Sequence, residues 1–321
     1  MPKREDAHSN ILLCLQMKKA FLQLHVAVFL AGFTAILGKL IGLGEGMLVW
    51  WRILLTVVVL AGWMFFTNKL KRVRGKDFLK IAGVGLIIAL HWILFYGSIK
   101  YSTISVALVC FSATGFFTAL LEPLILNKKI SVVELFFGLL SIAGIYIIFD
   151  FHPQFKQGIV FGILAAVGSA LFPIFNKKLL LRFEPTTLTL YELGGGLLLL
   201  TTLLPFYHQY FPASYYLPST SDWLWLLILS VLCTVVMFIL QLNALKKISA
   251  FTSNLSFNLE PLYGIIMAFL FFNEGEMLRK EFFIGLALIV LAVLLQMYMV
   301  WRASTKQNNI AVEPGIHSSE I

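Results

Sequence analysis

Charge is scarce in this chain. Only 13% of its 321 residues are Asp, Glu, Lys or Arg, against roughly 25% in a soluble domain, and that deficit excludes a water-soluble fold for most of its length. Cysteine is scarce as well. Cys14, Cys110 and Cys233 stand far apart, without the spacing of a disulfide framework, a redox motif or a zinc site, and read as packing residues. No Ser/His/Asp set, metal-spaced His pair or nucleotide-binding motif occurs, so no metal or cofactor is expected, and neither is an enzyme or an ATPase. The glycine run Gly194-Gly195-Gly196 follows no strand and is no phosphate loop; it reads as a place where helices approach closely. Period-two alternation, the mark of a membrane barrel strand, is missing too.

Long apolar runs are what the chain does have. It is 59% hydrophobic, with a mean hydropathy of +0.87. Crossing the hydrocarbon takes roughly 20 mostly apolar residues, and backbone amides in lipid must be satisfied within the segment. Runs of that length predict helices at 20–41, 46–67, 78–99, 103–125, 132–149, 158–178, 186–206, 222–244, 250–272 and 282–302. The predicted fold class is therefore an all-α integral membrane protein of ten transmembrane helices. Most of the 25 Lys and Arg residues fall in every second gap: Lys69, Lys71, Arg72 and Arg74 after helix 2, Lys128 and Lys129 after helix 4, Lys177, Lys178 and Arg182 after helix 6, Lys246 and Lys247 after helix 8. By the positive-inside rule those gaps and both termini are cytoplasmic. A net charge of +9 then needs no nucleic-acid partner; it is the signature of loops facing anionic lipid. Helix 1 is too long for the apolar region of a signal peptide. Residues 1–17 read as a cytoplasmic N-terminal segment, within which Met17-Lys18-Lys19 offers an alternative start, and 303–321 as a disordered cytoplasmic tail.

Ten helices invite a test for duplication. A shift of roughly 140 to 146 residues brings the loops into step: Trp51-Arg52 falls on Tyr191-Glu192, Asp77 on Asp222, Lys100 on Lys246, Phe111 on Phe257 and Asn127 on Asn273. The halves are 18–150 and 157–302. Five is odd, so equivalent helices cross in opposite directions, and inverted repeats with a midplane site are a plan of secondary transporters. The tetrapeptides Leu121-Glu122-Pro123-Leu124 and Leu259-Glu260-Pro261-Leu262 match each other but not this register, which places their glutamates at different depths.

Ionisable groups inside a span usually face the bundle interior. Glu260 is deep, Pro261 beside it removes a backbone hydrogen bond, and Ser253, Asn254, Ser256 and Asn258 precede it. Such a segment either lines a cavity or glues helices together. A carboxyl without water prefers to keep its proton, which suits proton coupling. Arg52 lies in the outer third of helix 2, either to attract an anionic group or to pair with a glutamate, or else snorkelling to the interface. Glu192 holds the equivalent place in helix 7, with Tyr191 beside it; it is either a second gate or a half-exposed group offsetting Lys177 and Lys178. His91, Trp92 and Tyr96 would give helix 3 an aromatic face with one imidazole, for organic substrate or for packing. Glu122, close to Lys128, reads as structural.

Ten helices in two halves of five, the basic second gap, Arg52 in helix 2, His91-Trp92 in helix 3 and Leu259-Glu260-Pro261 before Asn273-Glu274 together resemble the drug/metabolite transporter superfamily, EamA type, over roughly residues 18–302. The chain departs from it at Thr114-Gly115, where such proteins often carry a proline. The resemblance implies an inner-membrane carrier that alternates access, often exporting amino acids or other small metabolites. The expectation is a secondary transporter of a small-molecule substrate, its cavity walled by helices 1–4 and 6–9, with helices 5 and 10 mainly packing. Rival readings are a multi-pass enzyme or flippase acting on lipid-linked substrates, and a channel. The oligomeric state is open.

Overall fold

In the computed structural model the backbone is described for residues 2–151, 153–212, 215–248, 253, 256–257 and 259–312. These residues form helices and turns, with no strand among them. The helices are α1 (Pro2–Leu40), α2 (Glu45–Phe66), α3 (Gly75–Tyr101), α4 (Ile104–Phe111), α5 (Thr114–Leu126), α6 (Val132–Phe151), α7 (Lys156–Leu179), α8 (Pro185–Tyr210), α9 (Thr220–Ser230), α10 (Met237–Lys247), α11 (Glu260–Phe272) and α12 (Lys280–Val312). Seven segments among the described residues are long and apolar enough to cross a membrane, α4–α5 and α9–α10 each counting as one; α6 and α11 add shorter apolar helices. The chain is a multi-pass helical membrane protein.

Helix ends follow local chemistry. Ser219 and Asp222 cap the start of α9 reciprocally, each satisfying an otherwise orphaned backbone N–H. Asn127 and Asn273 close α5 and α11 in the left-handed region, at φ 53° and 52°, where asparagine is the best tolerated residue after glycine. Two interruptions occur where the apolar runs gave no warning. Between α4 and α5 the chain turns at Ser112-Ala113 although no proline stands there. Hydroxyls do the work instead: Ser112 Oγ donates to Val109 O at 2.6 Å and Thr114 Oγ1 to Phe111 O at 2.7 Å, competing with the helix for its carbonyls. Between α9 and α10 the helix widens into a π turn at Val231–Val236.

Two further departures lie at the termini. The helix expected to begin near residue 20 starts at Pro2. The last helix runs to Val312, through the first ten residues of the segment expected to be disordered. That segment holds Ala303, Lys306 and Gln307, all good helix formers, and no Gly or Pro interrupts it before Pro314. Residues 313–321 lie outside the described ones.

Close backbone approach fixes the packing. Where α3 crosses α8, a Cβ on Gly196 would meet Gly85 O at 2.5 Å, and one on Gly195 would meet the Ala82 Cβ at 2.5 Å. Where α6 crosses α12 the contact is mutual: a Cβ on Gly144 would meet Gly285 O at 2.7 Å, and one on Gly285 would meet Gly144 O at 2.6 Å. In lipid, such small-residue seams give the van der Waals contact that drives association. α4 is anchored from afar. Glu274 accepts from Ile104 N at 3.1 Å, Ser105 N at 2.9 Å and Ser105 Oγ at 2.8 Å, covering free amides at the positive end of the helix dipole. Glu274→Ala leaves these donors without that acceptor, at a cost of about 1–3 kcal/mol. Its thermal midpoint in detergent should fall by several degrees, and an unchanged midpoint would show that the cap is idle.

At the basic end of the bundle, Arg182 grips Asp77 with two bonds of 3.0 and 2.9 Å, and Lys246 bonds Glu184 at 2.7 Å. The Lys246 hydrogen bond holds the Glu184 carboxyl below its ordinary range. This link helps the fold above the ordinary Glu pKa and is lost as pH falls through the lowered one; both groups are exposed enough for the gain to be small. At the opposite end, Tyr207 Oη donates to Glu45 Oε1 at 2.6 Å, Gly42 N to Asp222 Oδ1 at 2.8 Å and Trp51 Nε1 to Tyr216 O at 2.8 Å.

Candidate functional site

Between these two ends lies a polar-edged, aromatic cavity of about 50 Å³, room for a few waters at roughly 10–15 Å³ each. Arg52, Trp92 and Glu260 line it, as do Thr34 of α1, Phe111 at the end of α4, Ser169 and Phe172 of α7, and Phe238 and Gln241 of α10.

Arg52 is 1% exposed and does not snorkel. Its Nε donates to Thr234 Oγ1 at 2.8 Å, one terminal nitrogen to Tyr96 Oη at 2.7 Å and the other to Cys233 O at 3.1 Å. The guanidinium carbon sits 3.7 Å from the centre of the Trp92 ring, a cation–π contact. The π turn explains the bonds to α9–α10. A wide turn withdraws an amide from the regular ladder, and Cys233 O is available to the arginine; Thr234 Oγ1 donates back to Leu229 O at 2.8 Å and so presents lone pairs to Nε. The Arg52 backbone is held as well, its carbonyl accepting from Thr56 Oγ1 at 2.7 Å and Ser230 Oγ at 3.1 Å. A guanidinium has five N–H groups; these three bonds leave two for a ligand.

Glu260 is buried and borders the same cavity at the start of α11. No ion pair joins it to Arg52 among the described residues. Pro261 occupies the first turn of α11, where its missing N–H costs nothing, and it faces α12 rather than the cavity. His91 lies between Phe111 and Phe172, stacked at 6.4 and 5.6 Å, with no hydrogen bond of ordinary geometry to Nδ1 among the described residues. Gln241 Oε1 is likewise unpartnered.

The structure brings Arg52, His91, Trp92 and Glu260 to one cavity, with Tyr96 behind Arg52. It does not bring Tyr191 and Glu192 there. Helix α8 contributes nothing to the lining, contrary to the expectation for helix 7, because its seam with α3 draws it away. Tyr191 turns to the basic end and donates to Lys71 O at 3.0 Å. Glu192 is fully buried at the seam itself, its carbonyl against Gly85. Asn254 and Asn258 lie outside the described residues. Glu122 bonds Lys128 at 2.8 Å, as its position in the sequence suggests. Sequence reasoning missed Gln241, the polar interruption of an apolar run in α10, and Thr234 and Phe172, which carried no distinguishing signal. No group of three or more His, Cys, Asp or Glu gathers for a metal among the described residues.

The EamA-like transporter family matches residues 18–150 and again residues 156–298. The chain belongs to the EamA-like transporter family. Relatives of this EamA chain include an uncharacterized transporter of Archaeoglobus fulgidus, 26% identical over 56% of this chain and 60% of that protein, so the chain spans less than two thirds of that relative. A second from the same organism is 25% identical over 76% of this chain and 83% of the relative. The uncharacterized transporter YcxC of Bacillus subtilis is 26% identical over 68% and 72%. A solved crystal structure superposes with a TM-score of 0.62, covering 85% of this chain and 95% of that one at 15% identity, a likeness of fold.

Proposed function

We propose that this EamA-family chain is a secondary active transporter, exporting small metabolites such as amino acids or related organic compounds across the cytoplasmic membrane by alternating access. Its ten transmembrane helices form two inverted five-helix repeats, with both termini in the cytoplasm. The observation that carries the reading is the cavity itself. One arginine keeps two N–H groups for an acceptor, one carboxyl has no ion-pair partner among the described residues, and aromatic rings line the space between. Few convergent polar groups on an apolar wall are what a small-molecule site needs.

Several features support the inverted arrangement. α6 and α12, the last helix of each half, meet through a reciprocal glycine contact. α5 and α11 end on equivalent left-handed asparagines. α3 packs on α7 as α10 packs on α1. The basic gaps support the orientation, and the direction of transport rests on the family resemblance.

The test is reconstitution. Liposomes holding the purified protein, loaded with a metabolite extract of the host cells, should release specific compounds that mass spectrometry identifies, with saturable kinetics accelerated by the same compound outside. Glu260→Gln should insert normally and lose at least about tenfold in that flux, the loss of one charge-assisted contact. Unsaturable flux would make the protein a channel, and a chemically altered metabolite an enzyme. Full flux in Glu260→Gln would remove that residue from the site.

A further inference from the structure

Outside the cavity, two buried polar side chains lie beside each other without a hydrogen bond of ordinary geometry among the described residues. Glu192 of α8 and Asn176 of α7 are both fully buried. Neither carboxyl oxygen of Glu192 and neither amide atom of Asn176 has a hydrogen bond of ordinary geometry among the described residues, although Asn176 is the polar group beside the carboxyl. Among the described residues no ion pair reaches Glu192. Arg52 of α2 is committed at the cavity and His91 of α3 stacks there. Asp77 of α3 pairs with Arg182, and Lys246 of α10 with Glu184, at the basic end; Lys177 and Lys178 of α7 bond carbonyls there.

A bare carboxylate cannot be held in such a place. A neutral acid can. Protonated, one oxygen becomes a donor while the other still accepts. The amide of Asn176 offers the complement, an accepting Oδ1 and a donating Nδ2, so a single proton lets all four unpartnered atoms pair. The location suits exchange. Thr187, about 7.5 Å along α8 from Glu192 though on another flank of the helix, lines a cleft of about 340 Å³ at the basic end, together with Lys71 and Arg182. On α7, Ser169, Phe172 and Asn176 follow one another on one face, and the first two line the cavity. Asn176 thus lies one turn beyond the cavity wall.

We propose that Glu192 and Asn176 form a proton-binding site, separate from the cavity, whose loading and unloading couples transport to a pH gradient. The proton comes from water and returns to water, and only an O–H bond is made or broken. The coupling half of this inference rests on the transporter reading above.

Infrared difference spectra of the purified protein in lipid, between neutral and alkaline buffer, test the site with the proton alone. A carboxylic acid C=O band that downshifts in heavy water should be present in the wild type and in Glu260→Gln, vanish in Glu192→Gln, and move in Glu192→Asp. A band unaffected by both Glu192 substitutions overturns the proposal, as does its absence from the folded wild type. In liposomes loaded with metabolite extract, an imposed pH gradient should raise wild-type flux, and in Glu192→Gln the ratio of flux with and without the gradient should fall to one. A wild type that transports but ignores the gradient overturns the coupling and leaves the transporter reading standing. A wild type that transports nothing overturns that reading, and the infrared band still decides whether Glu192 holds a proton.

Discussion

Replacing Arg52 with alanine is expected to reduce flux by roughly 30- to 4,000-fold, the equivalent of about 2–5 kcal/mol for truncating one partner of a buried, hydrogen-bonded charge. The arginine ties together three parts of the molecule. It rises from α2, rests on Trp92 and Tyr96 of α3, and bonds Thr234 and Cys233 in the π turn. Alanine leaves Cys233 O and the Tyr96 and Thr234 hydroxyls without their charged partner, and removes the two N–H groups held for an acceptor. Folding should suffer less than transport, because the cost of burying a cation disappears with the cation. The protein should therefore insert and elute as a single species while flux collapses. Lysine should rescue little of it: one ammonium on a flexible stem cannot reproduce a planar fork bonded in three directions over an indole face. Flux in Arg52→Lys within about threefold of wild type would show that bare charge is enough, and would contradict the geometry argued from the fork.

The second large effect concerns the seam between α3 and α8. A Cβ at Gly85 would fall inside the Glu192 carbonyl, and one at Gly196 would strike Gly85 O. Both obstacles are backbone, which cannot swing aside as a side chain can. Gly85→Ala must push the helices apart, and Gly85→Leu more so. Overpacking of this kind costs about 1–3 kcal/mol and sometimes more, and here one displacement also disturbs α7, because α3 packs against both α7 and α8. The expected outcome for Gly85→Leu is loss of the monodisperse peak in detergent; for Gly85→Ala, a thermal midpoint lower by many degrees. Gly83, two residues earlier in the same helix, has open space where its Cβ would be, so Gly83→Ala should be neutral or slightly stabilising through helix propensity. Equal midpoints for Gly83→Ala and Gly85→Ala would mean that the seam does not set the packing.

These two sites also show what a sequence of this type can and cannot disclose. Arg52 was legible because a lone charge in an apolar run is costly wherever it sits, so its burial needs a reason. Its partners were not. Thr234 looks like any hydroxyl in a membrane helix, most of which bond a carbonyl of the preceding turn, and nothing in Val231-Leu232-Cys233-Thr234 announces a widened backbone. Asn127 and Asn273 were legible in register, and both prove to be left-handed helix ends, since turn residues carry their own conformational preference. The break after Phe111 was not, because serine and threonine hydroxyls commonly bond a carbonyl of the preceding turn without ending a helix. Glu192 was picked out for its charge, as a second gate or a half-exposed group; the neighbouring glycines Gly195 and Gly196 hold α8 to α3, and the residue is buried there. Periodicity and charge set the helical membrane class and the candidates; close backbone contacts set who meets whom.

A π turn is equivalent to one residue slipped into an α-helix, and each residue advances the winding by about 100°. The segments on either side of Val231–Val236 are consequently out of phase, and the stripe that packs α9 does not continue as the stripe that α10 turns to the cavity. A protein of this family lacking that slipped residue would carry Gln241 and Phe238 on another flank, however similar the letters.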